Sequence, residues 1–341
     1  MYYIKTYQNG HLLQEPIVEK VNVGIIGTGH LGRYHALNYN AIREANLIGV
    51  YDKDQKRSRQ IAEECKCNSF DSLDGLLDVV EAVSIAVPTD IHFSIGKQVL
   101  EHGIHCLIEK PITGTVDEAD KLILLAKENR AILHVGHIER FNPAMIAIQK
   151  MDLQPQFIES HRLAPFNPRG TEVAVILDLM IHDIDIILHL VNHPVSKIDA
   201  SGVAVVSDSI DIANARIHFE NGCVANLTAS RISQKKMRKM RLFQKNAYIS
   251  IDFLENKSEI YSLEKNPQKG RRSLGEIGIG ENKKHVIYDK PKTGKINSLK
   301  LELELFIKGI QGKDVEAVTG AEGRSALEIA VKILESLKNQ K

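Results

Sequence analysis

Gly27-Thr28-Gly29-His30-Leu31-Gly32 and, about 80 residues further on, Glu109-Lys110-Pro111 are the segments whose residue types and spacing could do chemistry. The first reads as a phosphate-cradling turn and the second as a strand end carrying an ionisable amine. Val23-Gly24-Ile25-Ile26 has the look of a buried strand and Leu31 onward of a helix, so the glycines fall in the sharp turn between them. Gly27 makes the turn, Gly29 lets a pyrophosphate approach the backbone, and Gly32 lets helix and strand pack closely. The amides at the helix start, with the positive end of its dipole, suit phosphate oxygens, and Thr28, His30 and Leu31 share that cradle. Leu47 to Tyr51 is a second strand and ends at Asp52, 20 residues after Gly32. A carboxylate there accepts both ribose hydroxyls of NAD and repels the 2′-phosphate of NADP. Lys53 and Arg57 follow and soften that repulsion, so the balance favours NAD over NADP. A bare GxGxxG also suits an ordinary tight turn; the flanking strand, helix and acid raise the dinucleotide reading above it.

A second set of ionisable residues lies between Glu172 and Val191, a segment that is apolar on most sides yet carries Asp178, His182, Asp185 and His189. Spacings of four, three and four place all of them on one face of a helix. A mostly apolar helix is buried, and ionisable groups on it must be paired or face a cavity. The competing reading is a polar stripe that merely meets solvent.

The elements that must position these groups change character along the chain. Strands are expected at 21 to 27, 47 to 52, 68 to 70, 82 to 87, 105 to 108 and 131 to 135, with helices near 31 to 45, 54 to 65, 91 to 102 and 115 to 129. Strand then helix, repeated, means a parallel doubly wound sheet, whose ligands sit beyond the carboxyl ends of its strands. Those ends carry Asp52, Pro88-Thr89, Glu109-Lys110-Pro111 and Gly136-His137. After Asn142 longer period-two runs appear: 157 to 163, 197 to 206, 212 to 219, 223 to 231, 240 to 244 and 248 to 253, with Asn221-Gly222 a strong hairpin turn and Lys245-Asn246 a weaker one. This half reads as an antiparallel sheet, a mobile loop from Lys265 to Lys284, and two closing helices near Ser298 to Ile310 and Arg324 to Asn339.

The 341 residues allow two cores, and a net charge of +1 gives no global argument for nucleic acid or an anionic membrane. No apolar run approaches the ~20 residues of a membrane span, and Met1 to Gln14 is too polar for a signal peptide, which points to the cytoplasm. Cys65, Cys67, Cys106 and Cys223 lack CxxC spacing, so reduced thiols and no structural metal are expected.

Several of these runs together resemble the glucose–fructose oxidoreductase/inositol dehydrogenase (Gfo/Idh/MocA) family: Gly27 to Gly32, Val87-Pro88-Thr89 with His92 three residues later, Glu109-Lys110-Pro111, and Asp178 with His182. The resemblance runs from about Val21 to the last helix. It implies an α/β fold: an N-terminal Rossmann doubly wound parallel sheet, then a C-terminal α/β domain with an open, mostly antiparallel sheet. Residues 1–20 would be an extension, 21–140 the NAD-binding domain, and 141–341 the substrate and oligomerisation domain, whose last helices can pack back on the first. It also implies Lys110, Asp178 and His182 as catalytic residues, a cofactor site formed by the glycine turn, Asp52, Pro88, Thr89, His92, Glu109 and Lys110, and a homo-oligomer, dimer or tetramer. Val135 to Pro143, Pro165 to Gly170 and Leu177 to Asp185 resemble the bacterial members that oxidise C3 of UDP-N-acetylglucosamine to a 3-keto sugar for lipid A precursors.

Oxidising a secondary alcohol needs a hydride acceptor and a base on its oxygen. His182 is the expected base and Lys110 the donor that stabilises developing alkoxide, although members of the family differ over which acts as base. Asp178 would hold the imidazole or pair with Lys110. For a substrate diphosphate the candidates are Arg140, Asn142, Arg162 and Arg169, with Asp178 and His182 also touching the sugar. Arg231, Lys235, Lys236, Arg238, Lys239 and Arg241 form a cluster that reads first as a solvated face. Three alternatives stay open: oxidation of another sugar or inositol, an NAD-dependent glycosidase, and an NAD-sensing regulator without activity.

Overall fold

The computed structural model describes residues 19–167 and 173–338 and the backbone of 3–8 and 11–16. The chain divides into two compact units. One comprises Met1–Glu109, Lys121–His134 and Leu299–Ala317; the other comprises Lys110–Asp120, Val135–Ser298 and Val318–Lys341.

Alternating apolar strands and amphipathic helices build the first unit, as the period of the sequence requires. Its strands are β3 (Val21–Ile26), β4 (Ala45–Tyr51), β5 (Asn68–Phe70), β6 (Ala82–Ile85), β7 (His105–Glu109) and β8 (Leu133–Gly136), which starts in this unit and whose last residues fall in the other. The spatial order is β5-β4-β3-β6-β7-β8, and every pair with an assigned register is parallel. From β3 the chain first builds outward through β4 and β5, then crosses back to β6, so the direction of growth reverses beside β3. At such a reversal, ligands of doubly wound sheets sit beyond the carboxyl ends of the strands. The helices are α1 (His30–Tyr39), α2 (Gln55–Cys65), the short α3 (Leu73–Leu77), α4 (His92–Glu101) and, from Lys121 on, α5 (Val116–Glu128). An antiparallel hairpin of β1 (Tyr3–Gln8) and β2 (His11–Pro16) precedes them. Helix α1 ends at Tyr39, earlier than its apolar pattern suggests. The Asn40 amide donates to the Cys65 carbonyl, turning the chain so that Ala45 can enter β4.

Helix α8 (Ser298–Ile310) belongs to this core although it comes late in the chain. Leu303, Phe306 and Ile307 are fully buried against Val21, Val23, Ile25 and Tyr39. Burial of such side chains stabilises by about 1.5–3 kcal/mol each.

Among the described residues the second unit is built on a nine-stranded sheet with helices packed on one face. After α6 (Pro143–Ile146) come β9 (Phe157–Leu163), α7 (Ile181–Val191), β10 (Val195–Val203), β11 (Ile212–Phe219), β12 (Val224–Ser230), β13 (Met237–Gln244), β14 (Ala247–Asp252), β15 (Lys257–Glu264), β16 (Ser273–Ile277), β17 (Lys284–Asp289) and, after α8, α9 (Gly320–Lys338). The order is β10-β11-β12-β9-β13-β14-β15-β17-β16, antiparallel throughout except for the parallel β12–β9 pair. One face meets α7 and α9: Ile158, Ala215, Leu227, Met240, Leu242 and Ile249 share a core with Ile184, Ile187, Ala330 and Ile333.

Two expectations need correction. The stretch Lys265 to Lys284, expected as a loop, contains the edge strand β16, all of whose residues are exposed, so no alternating apolar signal could announce it. Arg271, with ion pairs to Glu264 and Asp289, ties the start of this stretch to the neighbouring strands. The apolar helix expected from Glu172 opens instead as a π-helical turn over Ile176–Met180 before α7 begins. Among the described residues no helix is long and apolar enough to cross a membrane.

Candidate active site

In the first unit the glycine turn joins β3 to α1. Gly27 has φ +91°, and a Cβ there would lie 2.5 Å from the Ala86 carbonyl oxygen; a Cβ on Gly32 would meet the Gly27 oxygen at 1.8 Å. Only glycine suits either place. Gly29 differs: a Cβ there would find no heavy atom within 4 Å, and as N-cap of α1 it offers no side-chain cap to the first amides. Open space over uncapped amides at a helix start fits a pyrophosphate. His30 and Leu31 are exposed beside it, whereas Thr28 is buried.

Asp52 lies 5% exposed at the end of β4 and ties this turn to the next strand. The Thr28 amide and hydroxyl donate to its Oδ2 at 2.7 and 3.0 Å, and the Asp54 amide donates to Oδ1 at 2.8 Å. Arg57 Nη2 donates to Oδ1 at 2.9 Å. Burial opposes the charge on Asp52, but Arg57 and these donors outweigh it and hold the carboxyl below its usual range. Pro88 and Thr89 open a 3-10 turn after β6, and His92 Nε2 lies 2.9 Å from the Val87 carbonyl oxygen, fixing that strand end. Glu109, at the end of β7, meets the buried His35 at 2.9 Å.

The next residue, Lys110, belongs to the second unit and precedes a cis bond to Pro111. Its Nζ donates to the Asp178 carbonyl oxygen at 2.7 Å and lies 3.6 Å from Asp178 Oδ1. Asp178 sits inside the π turn, where the ordinary helical ladder is displaced and a carbonyl can turn toward a side-chain donor. Of the two roles open to Asp178, the geometry shows the pairing with Lys110. His182, in the first turn of α7, keeps a buried Nδ1 with no hydrogen-bond partner among the described residues. Its ring lies edge-on to His137, centroids 6.4 Å apart. Burial, then the positive charges of Lys110 and Arg162, followed by His137 and Arg238, push this imidazole well below its ordinary value. A neutral imidazole beside an ammonium can take a proton from a hydroxyl while the ammonium donates to the oxygen.

Of the residues expected to hold a diphosphate, Arg162, Arg140 and Asn142 have partners within the protein. Arg162 is 2% exposed; its Nη2 and Nε donate to Asp183, the closest bond being 2.7 Å, and its Nη1 donates to Glu139 at 2.8 Å. Arg140 donates from Nε and Nη2 to Asp185 at 2.7 and 2.9 Å, and from Nη1 to Glu322 and His189. Both guanidinium forks are engaged by carboxylates, because burial demands that their charge be paired. Asn142 is the N-cap of α6, accepting from the Ala144 amide while its own amide donates to Glu139 and the Phe253 carbonyl. Arg169 lies outside the described residues.

The polar stripe of α7 therefore splits in two. Asp178 and His182 stand with Lys110, while Asp185 and His189 stand with Arg140 and Glu322. Sequence reasoning passed over Glu139, Asp183 and Glu322, the acids that hold the arginines. The available signal was charge balance: a buried arginine obliges a buried acid somewhere.

Residues 21–137 match the oxidoreductase family with an NAD-binding Rossmann fold, and residues 156–250 match the GFO/IDH/MocA C-terminal domain. The UDP-N-acetylglucosamine 3-dehydrogenase of Acidithiobacillus ferrooxidans is 39% identical over 315 residues, which span 92% of this chain and 96% of that protein. A solved structure of that enzyme has a TM-score of 0.84 at 38% identity, covering 94% of this chain and 98% of that one. The myo-inositol 2-dehydrogenase of Thermotoga maritima is 22% identical over 348 residues, 94% of this chain and 97% of that protein. A levoglucosan dehydrogenase in complex with NADH shares the fold, with a TM-score of 0.80 at 19% identity over 95% of this chain and 98% of that one. With an NAD-binding domain over β3 to β8 and the matching C-terminal domain after it, this chain belongs to the GFO/IDH/MocA oxidoreductase family.

Proposed function

We propose that this oxidoreductase oxidises the C3 hydroxyl of UDP-N-acetylglucosamine, giving the 3-keto sugar nucleotide. The observation that carries the chemistry is the buried His182 imidazole, its Nδ1 without a hydrogen-bond partner among the described residues, one helical turn after Asp178, whose carbonyl holds the Lys110 ammonium. The near full-length likeness to the A. ferrooxidans enzyme supports the choice of substrate. When bound, NAD supplies the acceptor for the hydride that leaves carbon. His182 takes the hydroxyl proton, Lys110 donates to the oxygen as alkoxide character develops, and Asp178 keeps the ammonium aimed. The test mixes the protein with NAD and UDP-N-acetylglucosamine, coupled to glutamate and a sugar aminotransferase to draw off the ketone. NADH absorbance with a keto or amino sugar nucleotide by mass supports the reading. Absence of turnover while inositol or a free sugar is oxidised would replace the substrate.

The glycine turn would hold the pyrophosphate, with Asp52 on the ribose and Pro88, Thr89, His92 and Glu109 lining the same strand ends. Asp52→Asn keeps the shape and removes the charge. The ratio of kcat/KM for NAD over NADP is expected to fall about tenfold or more, the scale of one lost charge-assisted contact. An unchanged ratio would release Asp52 from that role.

The sheet face turned away from α7 carries a row of rings, Phe157, Phe243, Tyr248, Tyr261 and Tyr288, with successive centroids 5.0 to 5.8 Å apart. A half-exposed aromatic row across five strands suits a second copy of the chain, and the reading is a homodimer or larger. Light scattering that returns the monomer mass, 38.1 kDa, at micromolar concentration would overturn it. Cys65, Cys67, Cys106 and Cys223 are free thiols, which accords with a reducing, cytoplasmic setting.

A further inference from the structure

The basic cluster on and before β13 looks uniform in sequence, but strand parity divides it. Met240 and Leu242 are buried toward α7, so Arg238 shares their face, whereas Lys239 and Arg241 project to the other and pair there with Asp252 and Glu159. Arg238 is the register partner of Arg162 across β13–β9. Like charges directly opposite on one face repel, and Glu139 relieves this by accepting from both, at 2.8 Å from Arg162 and 3.1 Å from Arg238. The two arginines then differ. Arg162 is buried with its fork on two carboxylates, while Arg238 has a side chain 45% exposed and, among the described residues, a single hydrogen bond, from Nη1. The result is a guanidinium anchored at one corner and open at the others, on the face that carries the ionisable cluster and close enough to His182 for its charge to be felt there.

Sugar geometry limits where a diphosphate receptor can lie. If C3 is oxidised at His182, the diphosphate on C1 sits across one sugar ring from the reacting carbon, so its cation must belong to this neighbourhood. We propose that Arg238, oriented by Glu139, receives the diphosphate of the substrate and so selects nucleotide sugars over neutral polyols. This rests on the sugar-nucleotide reading above and adds the residue that enforces it. A fork with open N–H groups can bind phosphate oxygens in pairs, which lysines on the far face of the sheet cannot do.

The experiment compares wild type, Arg238→Gln, Arg238→Lys and the opposite-face control Lys239→Gln by calorimetric titration with UDP and with uridine in the presence of NADH, and by steady-state kinetics on UDP-N-acetylglucosamine. Arg238→Gln is expected to weaken UDP by about tenfold to a hundredfold and leave uridine unchanged, with the kinetic loss mainly in KM for the sugar nucleotide and none in KM for NAD. Arg238→Lys should recover part of the UDP affinity, and Lys239→Gln should match wild type. A merely structural arginine would instead lower thermal stability and weaken uridine and UDP alike. UDP affinity in Arg238→Gln equal to wild type would overturn the assignment while leaving the substrate reading in place. A wild type that binds no UDP yet oxidises a neutral polyol would overturn both.

Discussion

Lys110→Ala and His182→Ala are each expected to lower kcat by about 10²–10⁴, the range for a lost general acid–base partner, while NADH binding followed by fluorescence stays near wild type. The separation of effects follows from structure. The Thr28, Asp54 and Arg57 donors that hold Asp52 beside the glycine turn all come from the first unit, whereas Lys110 and His182 belong to the second. Wild-type turnover in either variant would remove that residue from the mechanism. The pH dependence gives a second readout. Burial and the nearby cations hold His182 neutral well below its ordinary value, so the acid limb of kcat should lie below the ordinary imidazole value of about 6.5. Lys110→Met removes one of those cations, and the limb of its residual activity should move up. Linkage has the matching sign. As pH falls, the unfolded chain takes up the His182 proton before the folded one does. The stability that the neutral imidazole confers is therefore present above about 6.5 and lost as pH falls toward the folded value.

Arg162→Ala is expected to destabilise the fold by about 3–5 kcal/mol in urea titration, the cost of breaking a buried ion pair from one side. Asp183 is 2% exposed and has Arg162 as its ion-pair partner, so the variant strands a buried carboxylate on α7. Glu139 fares better because Arg238 still reaches it. Adding Asp183→Leu to Arg162→Met should therefore restore part of the loss, since a hydrophobic replacement of a whole pair can be neutral or better. A loss under about 1 kcal/mol in the single variant would place Arg162 with ordinary surface ion pairs.

Much of this protein is local and can be read along the chain. The glycine turn is contiguous, strand then glycines then helix, and Gly32 answers a steric demand within it, the Gly27 oxygen 1.8 Å from where a Cβ would lie. Strands β9 and β11 occur at their expected bounds because alternation of inward and outward residues needs only neighbours. Lys110, Asp178 and His182 stand out by residue type and spacing before any contact is known, and tertiary structure then joins Lys110 to Asp178.

Charge pairing is different, because an arginine in a sequence shows its donors and not its acceptors. Arg162 finds Asp183 21 residues away, and Arg140 finds Glu322 across 182 residues. Only folding could show that both serve the interior of the second unit. Strand parity acts the same way on Arg238: its neighbours Lys239 and Arg241 are equally basic, and which of the three shares a face with the buried residues depends on the pairing of β13 with β9. The sequence by itself determined the fold class and the cofactor, and it singled out Lys110, Asp178 and His182 by residue type and spacing. Tertiary structure alone decided which cations are engaged and which stays open, because ion pairing is settled by distance in space and by desolvation, and neither runs along the chain.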